Sequence, residues 1–308
     1  MIFSCIIPCS KKDLESQNLK DLIASIKSQD FPQDKIEILV ITEGDSEQAK
    51  GIGIKMAKGE ICGMFCADNY IPFKGLFNTV QKNFSVNKMM TGLYFKFYGY
   101  SSNDNSLNRY FSLIGNNDPI AFYLDKCDKK PAYDYDKNEL FTYFEFKDRV
   151  PSLGDNGFFY WRDSIQRADL DNYYPMDCAE DLRIKGESRY FRINAQGIWH
   201  RTTDGNLIDF LKRRYRYARD LYCDRNDRRW KMLDTREDYW RLFAFVFFTI
   251  TIAEPIYVSI RGFTRIKDWA WFWHWPVCFG FLITYTLLVI RNCLKYRSLS
   301  QLFSVQRA

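Results

Sequence analysis

Short apolar runs alternate with amphipathic stretches over the first seventy residues. Ile2 to Pro8 is apolar, rich in isoleucine and closed by proline, the pattern of a strand buried on both faces. Leu19, Leu22, Ile23 and Ile26 then recur at spacings of one helical face. Asp30-Phe31-Pro32 ends that helix, because proline cannot continue one. Ile36 to Ile41 predicts a second strand, Ser46 to Lys58 a second helix, and Ile61 to Phe65 a third strand. Strands alternating with helices predict an α/β fold built on a doubly wound, Rossmann-like parallel sheet. Such sheets bind ligands beyond the carboxyl ends of their strands. Pro8-Cys9-Ser10, Thr42-Glu43-Gly44 and Asp68-Asn69 would all fall at that edge.

From Phe84 to Asp171 the pattern is less regular. Leu93 to Tyr98 and Phe141 to Phe146 read as strands, and Ser101 to Ser106 and Lys126 to Lys137 as polar loops. The last third changes character. Leu242 to Ile260 and Trp269 to Ile290 are each long and nearly free of charge, enough to cross a hydrocarbon core of about 30 Å. Trp269, Trp271, Trp273 and Trp275 cluster at one end of the second segment, as interfacial aromatics do. The turn from Arg261 to Asp268 holds few basic residues, whereas Lys and Arg crowd before the first segment, and Arg291, Lys295 and Arg297 follow the second. The positive-inside rule then predicts a two-span hairpin, with both termini and the N-terminal domain on the cytosolic side. Glu254-Pro255 within the first segment reads as structural, an acid reaching the interface and a proline kink. Before the hairpin, Leu207, Ile208, Phe210, Leu211, Tyr215 and Ala218 mark an apolar stripe flanked by Arg and Lys. A helix of this kind suits the membrane interface and anionic headgroups, or a lipid phosphate.

Composition narrows the choices. Forty-six per cent hydrophobic residues in 308 are enough for a substantial core and exclude a disordered chain. The net charge of +6 is concentrated between Lys212 and Arg241 and comes with no nucleic-acid-reading motif, so no nucleic-acid partner is expected. The nine cysteines are scattered through apolar runs without zinc-site spacing, which suits reduced core thiols. The amino terminus, Met1-Ile-Phe-Ser-Cys-Ile-Ile-Pro8, lacks a basic leader and reads as a first strand.

Candidate chemistry centres on Asp68, at the end of the run from Ile61 to Asn69. Upstream lies Ala49-Lys-Gly-Ile-Gly-Ile-Lys-Met-Ala-Lys-Gly-Glu60, and downstream lie Leu153-Gly-Asp-Asn-Gly-Phe158, Ala179-Glu-Asp181 and Trp199-His200. Together these resemble the catalytic domain of family 2 glycosyltransferases of the GT-A type, over about the first two hundred residues. The stretch from Ala49 to Glu60 is the most diagnostic, with Lys50 where the family has arginine. The resemblance implies a GT-A domain over residues 1–204, a basic interfacial segment over 205–241 and a membrane hairpin over 242–308.

It also implies roles. Pro8, Cys9, Glu43 and Lys50 would contact the nucleotide, and Gly157 would let backbone approach the donor sugar. Asp68 and His200 would hold Mg²⁺ or Mn²⁺ against the donor diphosphate. Asp181 would act as general base, with Glu180 contacting acceptor or sugar. The family's Asp-x-Asp is Cys66-Ala-Asp68 here, so its first acid is a thiol, a poor ligand for a hard cation. The implied reaction is an inverting transfer from a nucleotide-diphosphate sugar to a lipid-linked acceptor, either a polyprenyl phosphate or a lipid-linked glycan. A non-catalytic relative that binds nucleotide sugar or a membrane partner is the alternative. A nucleotidyltransferase fits less well, because no glycine-rich phosphate loop lies near the amino terminus. Association into oligomers through the paired helices is compatible with either reading.

Overall fold

The structure is a computed structural model and describes residues 2–136, 141–220 and 228–296. Lys137 of the predicted middle loop, residues 221–227 of the basic stretch and Arg297 lie outside the described residues. Two compact units emerge. The first comprises residues up to Asn103, Ser112–Asn116 and Lys126–Arg201; the second comprises Asp104–Phe111, Asn117–Asp125 and the chain from Thr202.

The first unit follows the predicted alternation. β1 (Phe3–Pro8) is buried throughout. α1 (Gln17–Lys27) begins at Ser16, whose hydroxyl accepts the Leu19 amide, and buries Leu19, Leu22 and Ile26. β2 (Ile36–Ile41) leads to α2 (Ser46–Met56), opened by a capping box between Asp45 and Gln48. β3 (Ile61–Met64), the two-residue β4 (Asn69–Tyr70), α3 (Leu76–Val86) and β5 (Gly92–Phe97) follow. α4 (Ser106–Ile114) and α5 (Pro119–Tyr123), which belong mostly to the second unit, interrupt the first before β6 (Phe141–Glu145), β7 (Phe158–Trp161) and the short α6 (Arg162–Ile165). α7 (Pro175–Ile184), β8 (Arg189–Gln196) and β9 (Trp199–His200) complete the unit.

Seven strands form one sheet in the order β2-β1-β3-β7-β5-β8-β6, and β4 pairs with β9 in a small second ladder. The sheet is mixed and not the purely parallel one expected. β1 is parallel to β2 and β3, and β5 to β8, but β7 runs antiparallel between β3 and β5, and β6 antiparallel at the edge. The reversal has a consequence for the site: a strand inserted backwards starts, where its neighbours end, at the carboxyl edge. Phe3, Phe31, Phe77 and Phe159 pack tilted or edge-on beneath the sheet, a dense aromatic core that fixes the strands supporting the edge.

In the second unit, α8 (Leu207–Ala218) is capped by Asn206, whose side chain accepts the Ile208 and Asp209 amides. The first expected span is not one helix. α9 (Arg236–Thr251) ends at Ile252, which has φ of 63°, and α10 (Ala253–Arg265) departs at 84°. Pro255 gives the reason. It has no amide to offer the Thr251 carbonyl and its ring would collide with it, so the helix stops there and restarts with proline inside the first turn of α10. The second expected span is continuous from Trp269 to Asn292, and its helical part is α11 (His274–Tyr296). By length and composition this is the one helix among the described residues that could cross a membrane alone.

Candidate functional site

The carboxyl edge of the first unit's sheet holds several of the residues that the sequence singled out, Asp68, His200 and Gly157 among them. β1, β2, β3, β5 and β8 all end there, and β7 begins there. Asp68 lies just past β3, in a turn closed from both sides. The Cys66 amide donates to Asn69 Oδ1 at 2.8 Å, and the Asn69 amide donates to the Cys66 carbonyl at 2.9 Å. Asn69 then pairs across the β4–β9 ladder with His200. That ladder sets His200 Nε2 3.5 Å from Asp68 Oδ1, and the Arg201 amide donates to the Asp68 carbonyl at 3.0 Å. The structure thus brings Asp68 and His200, both named from the sequence, side by side.

Asp68 Oδ1 is buried and accepts no hydrogen bond among the described residues. His200 Nε2 stands opposite this oxygen, and the Asp68 side chain as a whole is one-third exposed, so a cation reaching it from solvent would complete its contacts. Adjacent ligands of an octahedral ion with bonds of about 2.1 Å lie about 3 Å apart. The observed 3.5 Å is thus close to the spacing of two ligands on one ion. Among the described residues no group of three His, Cys, Asp or Glu side chains is assembled. Two protein ligands suit Mg²⁺ or Mn²⁺ completed by water and phosphate oxygens, and do not suit a closed structural zinc site. Cys66 adds a poor ligand for a hard cation. Burial, with the Asp155 and Asp68 carboxylates nearby, pushes its thiol well above the ordinary range.

The loop from Leu153 to Phe158 is pinned against this turn. Gly154, Asn156 and Gly157 have φ of 114°, 55° and 80°, a tight left-handed path that glycine tolerates and asparagine accepts. The Gly157 amide donates to the Met64 carbonyl at 2.8 Å, and a side chain there would meet Ile198 Cδ1 at 3.0 Å. Asn156 Oδ1 accepts Asn69 Nδ2 at 3.0 Å, while its own amide nitrogen donates to Tyr98 Oη at 3.3 Å. The Tyr98 ring lies 5.6 Å from that of His200. Sequence reasoning named this loop for its glycines and missed Asp155, Asn156 and Tyr98. Two polar side chains enclosed by glycines were the available signal.

Lys50 is placed otherwise than expected. Its side chain is 2% exposed, and its ammonium pairs with Asp155 at 2.7 Å and Glu47 at 2.9 Å. Burial alone would lower its pKa, but the two carboxylates outweigh burial and raise it, so the charge is held. Lys50 thus ties α2 to the glycine loop, and its charge is already matched by protein.

Pro8 closes β1, and the Cys9 amide donates to the Ile41 carbonyl at 2.9 Å, joining two strand ends at the edge. Glu43 is exposed two residues beyond β2. On α7, Glu180 is engaged by Arg183 through both carboxylate oxygens, at 2.5 and 2.9 Å. Asp181 Oδ2 accepts the Asp169 amide at 3.3 Å. The first turn of α7 instead buries Asp177, which the sequence reading did not single out. This turn abuts the glycine loop, for a Cβ on Gly154 would lie 2.7 Å from Pro175 Cβ.

No protein-family model matches the chain, and no curated protein does. Solved structures do. Residues 1–349 of S. aureus TarS in complex with UDP-GlcNAc are similar at 13% identity and a TM-score of 0.46, over 97% of this chain and 93% of that one. The mannosyltransferase PcManGT from Pyrobaculum calidifontis, in complex with GDP-Man and Mn²⁺, is similar at 14% identity and a TM-score of 0.44, over 99% and 84%. At these scores the likeness assigns neither a substrate nor a residue role to this chain.

Proposed function

We propose that this chain is a metal-dependent, inverting glycosyltransferase of family 2 that moves a sugar from a nucleoside diphosphate to a lipid-linked acceptor. The observation that carries the proposal is the buried, unsatisfied Asp68 Oδ1 facing His200 at the carboxyl edge of the sheet. It falls where the motif from Ala49 to Asp68 anticipates a site for diphosphate and metal. Asp68 and His200 would hold Mg²⁺ or Mn²⁺, which when bound neutralises charge on the diphosphate. The turns at Pro8-Cys9 and Glu43 line the nucleotide end, and Gly157 keeps the sugar end open to backbone approach. The acceptor oxygen attacks the anomeric carbon as the nucleoside diphosphate leaves. A hydroxyl acceptor needs a base to take its proton, and a phosphate acceptor arrives ionised.

Two acids compete for that base. The motif assigns Asp181, whereas burial in the turn beside the glycine loop favours Asp177. The lipid-linked acceptor rests on the second unit. Trp240, Phe243, Phe247 and Ile250 on α9 and Phe279, Ile283 and Leu287 on α11 present apolar side chains outward. So large an apolar surface suits a membrane, and a tethered enzyme meets lipid acceptors at high effective concentration.

The deciding experiment follows radiolabelled sugar into the organic phase, using membranes that contain the chain and a panel of UDP- and GDP-sugars. EDTA and Asp68→Asn should each abolish transfer. Asp177→Asn or Asp181→Asn should lower kcat by about 10²–10⁴ for a hydroxyl acceptor, the worth of a general base. Transfer that survives both EDTA and Asp68→Asn would remove the metal from the mechanism. Nucleotide-sugar binding without transfer from any donor would favour the non-catalytic alternative.

A further inference from the structure

We infer that the second unit seats in one leaflet of the bilayer, as a monotopic anchor whose helices α9, α10 and α11 do not cross it. This rests on the membrane attachment proposed above and replaces the two-span hairpin with a different topology. The partner is a phospholipid surface bearing anionic headgroups.

The first observation is where α8 packs. Leu211 lies against Gly280 so closely that a Cβ on the glycine would sit 2.5 Å from Leu211 Cδ1. Phe210 packs on Phe281 at 6.1 Å between ring centroids, and the Arg214 guanidinium lies 5.8 Å from the Phe281 ring. Arg214 and Tyr285 both reach the buried Asp118, the tyrosine hydroxyl donating at 2.9 Å. Gly280 and Phe281 stand at the middle of the apolar stretch Trp269–Asn292. Were that stretch upright across a membrane, Leu211 would sit at the bilayer centre. Lys212 and Arg213 follow it directly in α8 and are exposed, and Asp209 precedes it by two residues and is exposed as well. Each such charge costs about 2.5–3.5 kcal/mol at the centre of a bilayer. With roughly 15 Å of hydrocarbon on either side, lysine and arginine stems are too short to bring their heads to water. These residues also line a cavity of 330 Å³ with Thr203, Asp204 and Arg216, which puts five charged side chains around one concavity.

The second observation is the elbow at Ile252. A bend of 84° turns α10 nearly perpendicular to α9, so the two cannot both stand along one membrane normal. Ile256, Tyr257 and Ile260 are exposed on α10 as well, and with the helices lying in the interface the outward side chains of α9, α10 and α11 share one requirement, an apolar bed about 5–10 Å deep. Trp240 and Trp269, both exposed, are the side chains that favour that depth. Exposed Arg236, Arg261, Arg265 and Lys267 at the helix ends supply charge complementary to anionic headgroups.

The experiment uses the full chain in two arms. Detergent-purified protein is mixed with vesicles of phosphatidylcholine and phosphatidylglycerol and floated. Sealed inside-out membranes from the expression host, carrying Arg265→Cys or Arg216→Cys, are treated with a membrane-impermeant maleimide, and label is counted above the unsubstituted chain. Flotation is expected, with Arg265→Cys and Arg216→Cys labelled equally before and after detergent. Flotation with Arg265→Cys protected until detergent is added would establish a crossing hairpin and overturn this topology alone. Failure to float, with host membranes stripped of the chain by salt, would overturn the membrane reading itself.

Discussion

Replacing Lys50 by methionine tests the polar centre of the first unit most directly. Lys50→Met keeps the length of the side chain and deletes one buried charge that two carboxylates share, Glu47 at 2.9 Å and Asp155 at 2.7 Å. Removing one partner of a buried pair costs about 3–5 kcal/mol, because it strands the other. The side chain of Asp155 is one-third exposed and can turn to water, so the lower end applies, about 3 kcal/mol. For a domain of this size that corresponds to a fall in Tm of roughly 6–12 °C. The deficit should also depend on pH. Burial already raises the Glu47 carboxyl, and loss of the Lys50 charge raises it further. A carboxyl raised above its unfolded value favours the fold while protonated, and that support disappears as pH rises through the folded pKa. The Tm gap between Lys50→Met and the parent should therefore be smaller near about pH 5 than near about pH 8. Adding Glu47→Gln should recover much of the loss, since it removes the stranded charge. Thermal unfolding of the full chain followed by intrinsic fluorescence reads all three effects. A Tm within about 2 °C of the parent, or a gap that widens in acid, would refute the buried-pair account.

Gly157→Ala should place a Cβ 3.0 Å from Ile198 Cδ1 at a φ of 80°, a cost of about 1–2 kcal/mol from backbone alone. Transfer should fall about tenfold or more, as Ile198 moves two residues from His200, and Ile198→Val should restore part of it in the same label-transfer assay. Cys66→Ala should leave the metal requirement intact, because a thiol is a poor ligand for a hard cation; a lost response to Mn²⁺ in a titration would make Cys66 one after all.

How far the sequence spoke depended on whether a feature was local. β1, α1, β2, α2 and β3 were legible because each carries its own period and its own stop signal, such as Pro32. The antiparallel β7 was not. Phe158–Trp161 is four apolar residues without alternation, and nothing in them states which neighbours they join or in which direction. Asp68 and His200 could be named from the sequence because each ends a recognisable stretch, and the structure places them 3.5 Å apart. The polar cluster supporting them was found only in part. Lys50 was read as a ligand contact, although its partner Asp155 is distant in sequence and meets it only after folding. Burial of both groups could not be read from either stretch alone.

The second unit shows the converse limit. A reading by length and composition averages over residues, so it takes Leu242 to Ile260 as one apolar stretch. It could not register that Pro255 removes the bond that would carry α9 past Thr251, which turns one span-length segment into two short helices at 84°. The same reading takes Trp269 to Ile290 as span-like, and the structure keeps the stretch continuous from Trp269 to Asn292. What changes its meaning is a partner from elsewhere in the sequence, the charged helix α8, laid against its midpoint. Membrane depth belongs to an assembly of helices, because a charge fixed at the middle of one helix must lie wherever that middle lies. Apolar length sets which segments can enter a bilayer; under the proposed topology, the packing of α8 on α11 limits how far in this one goes.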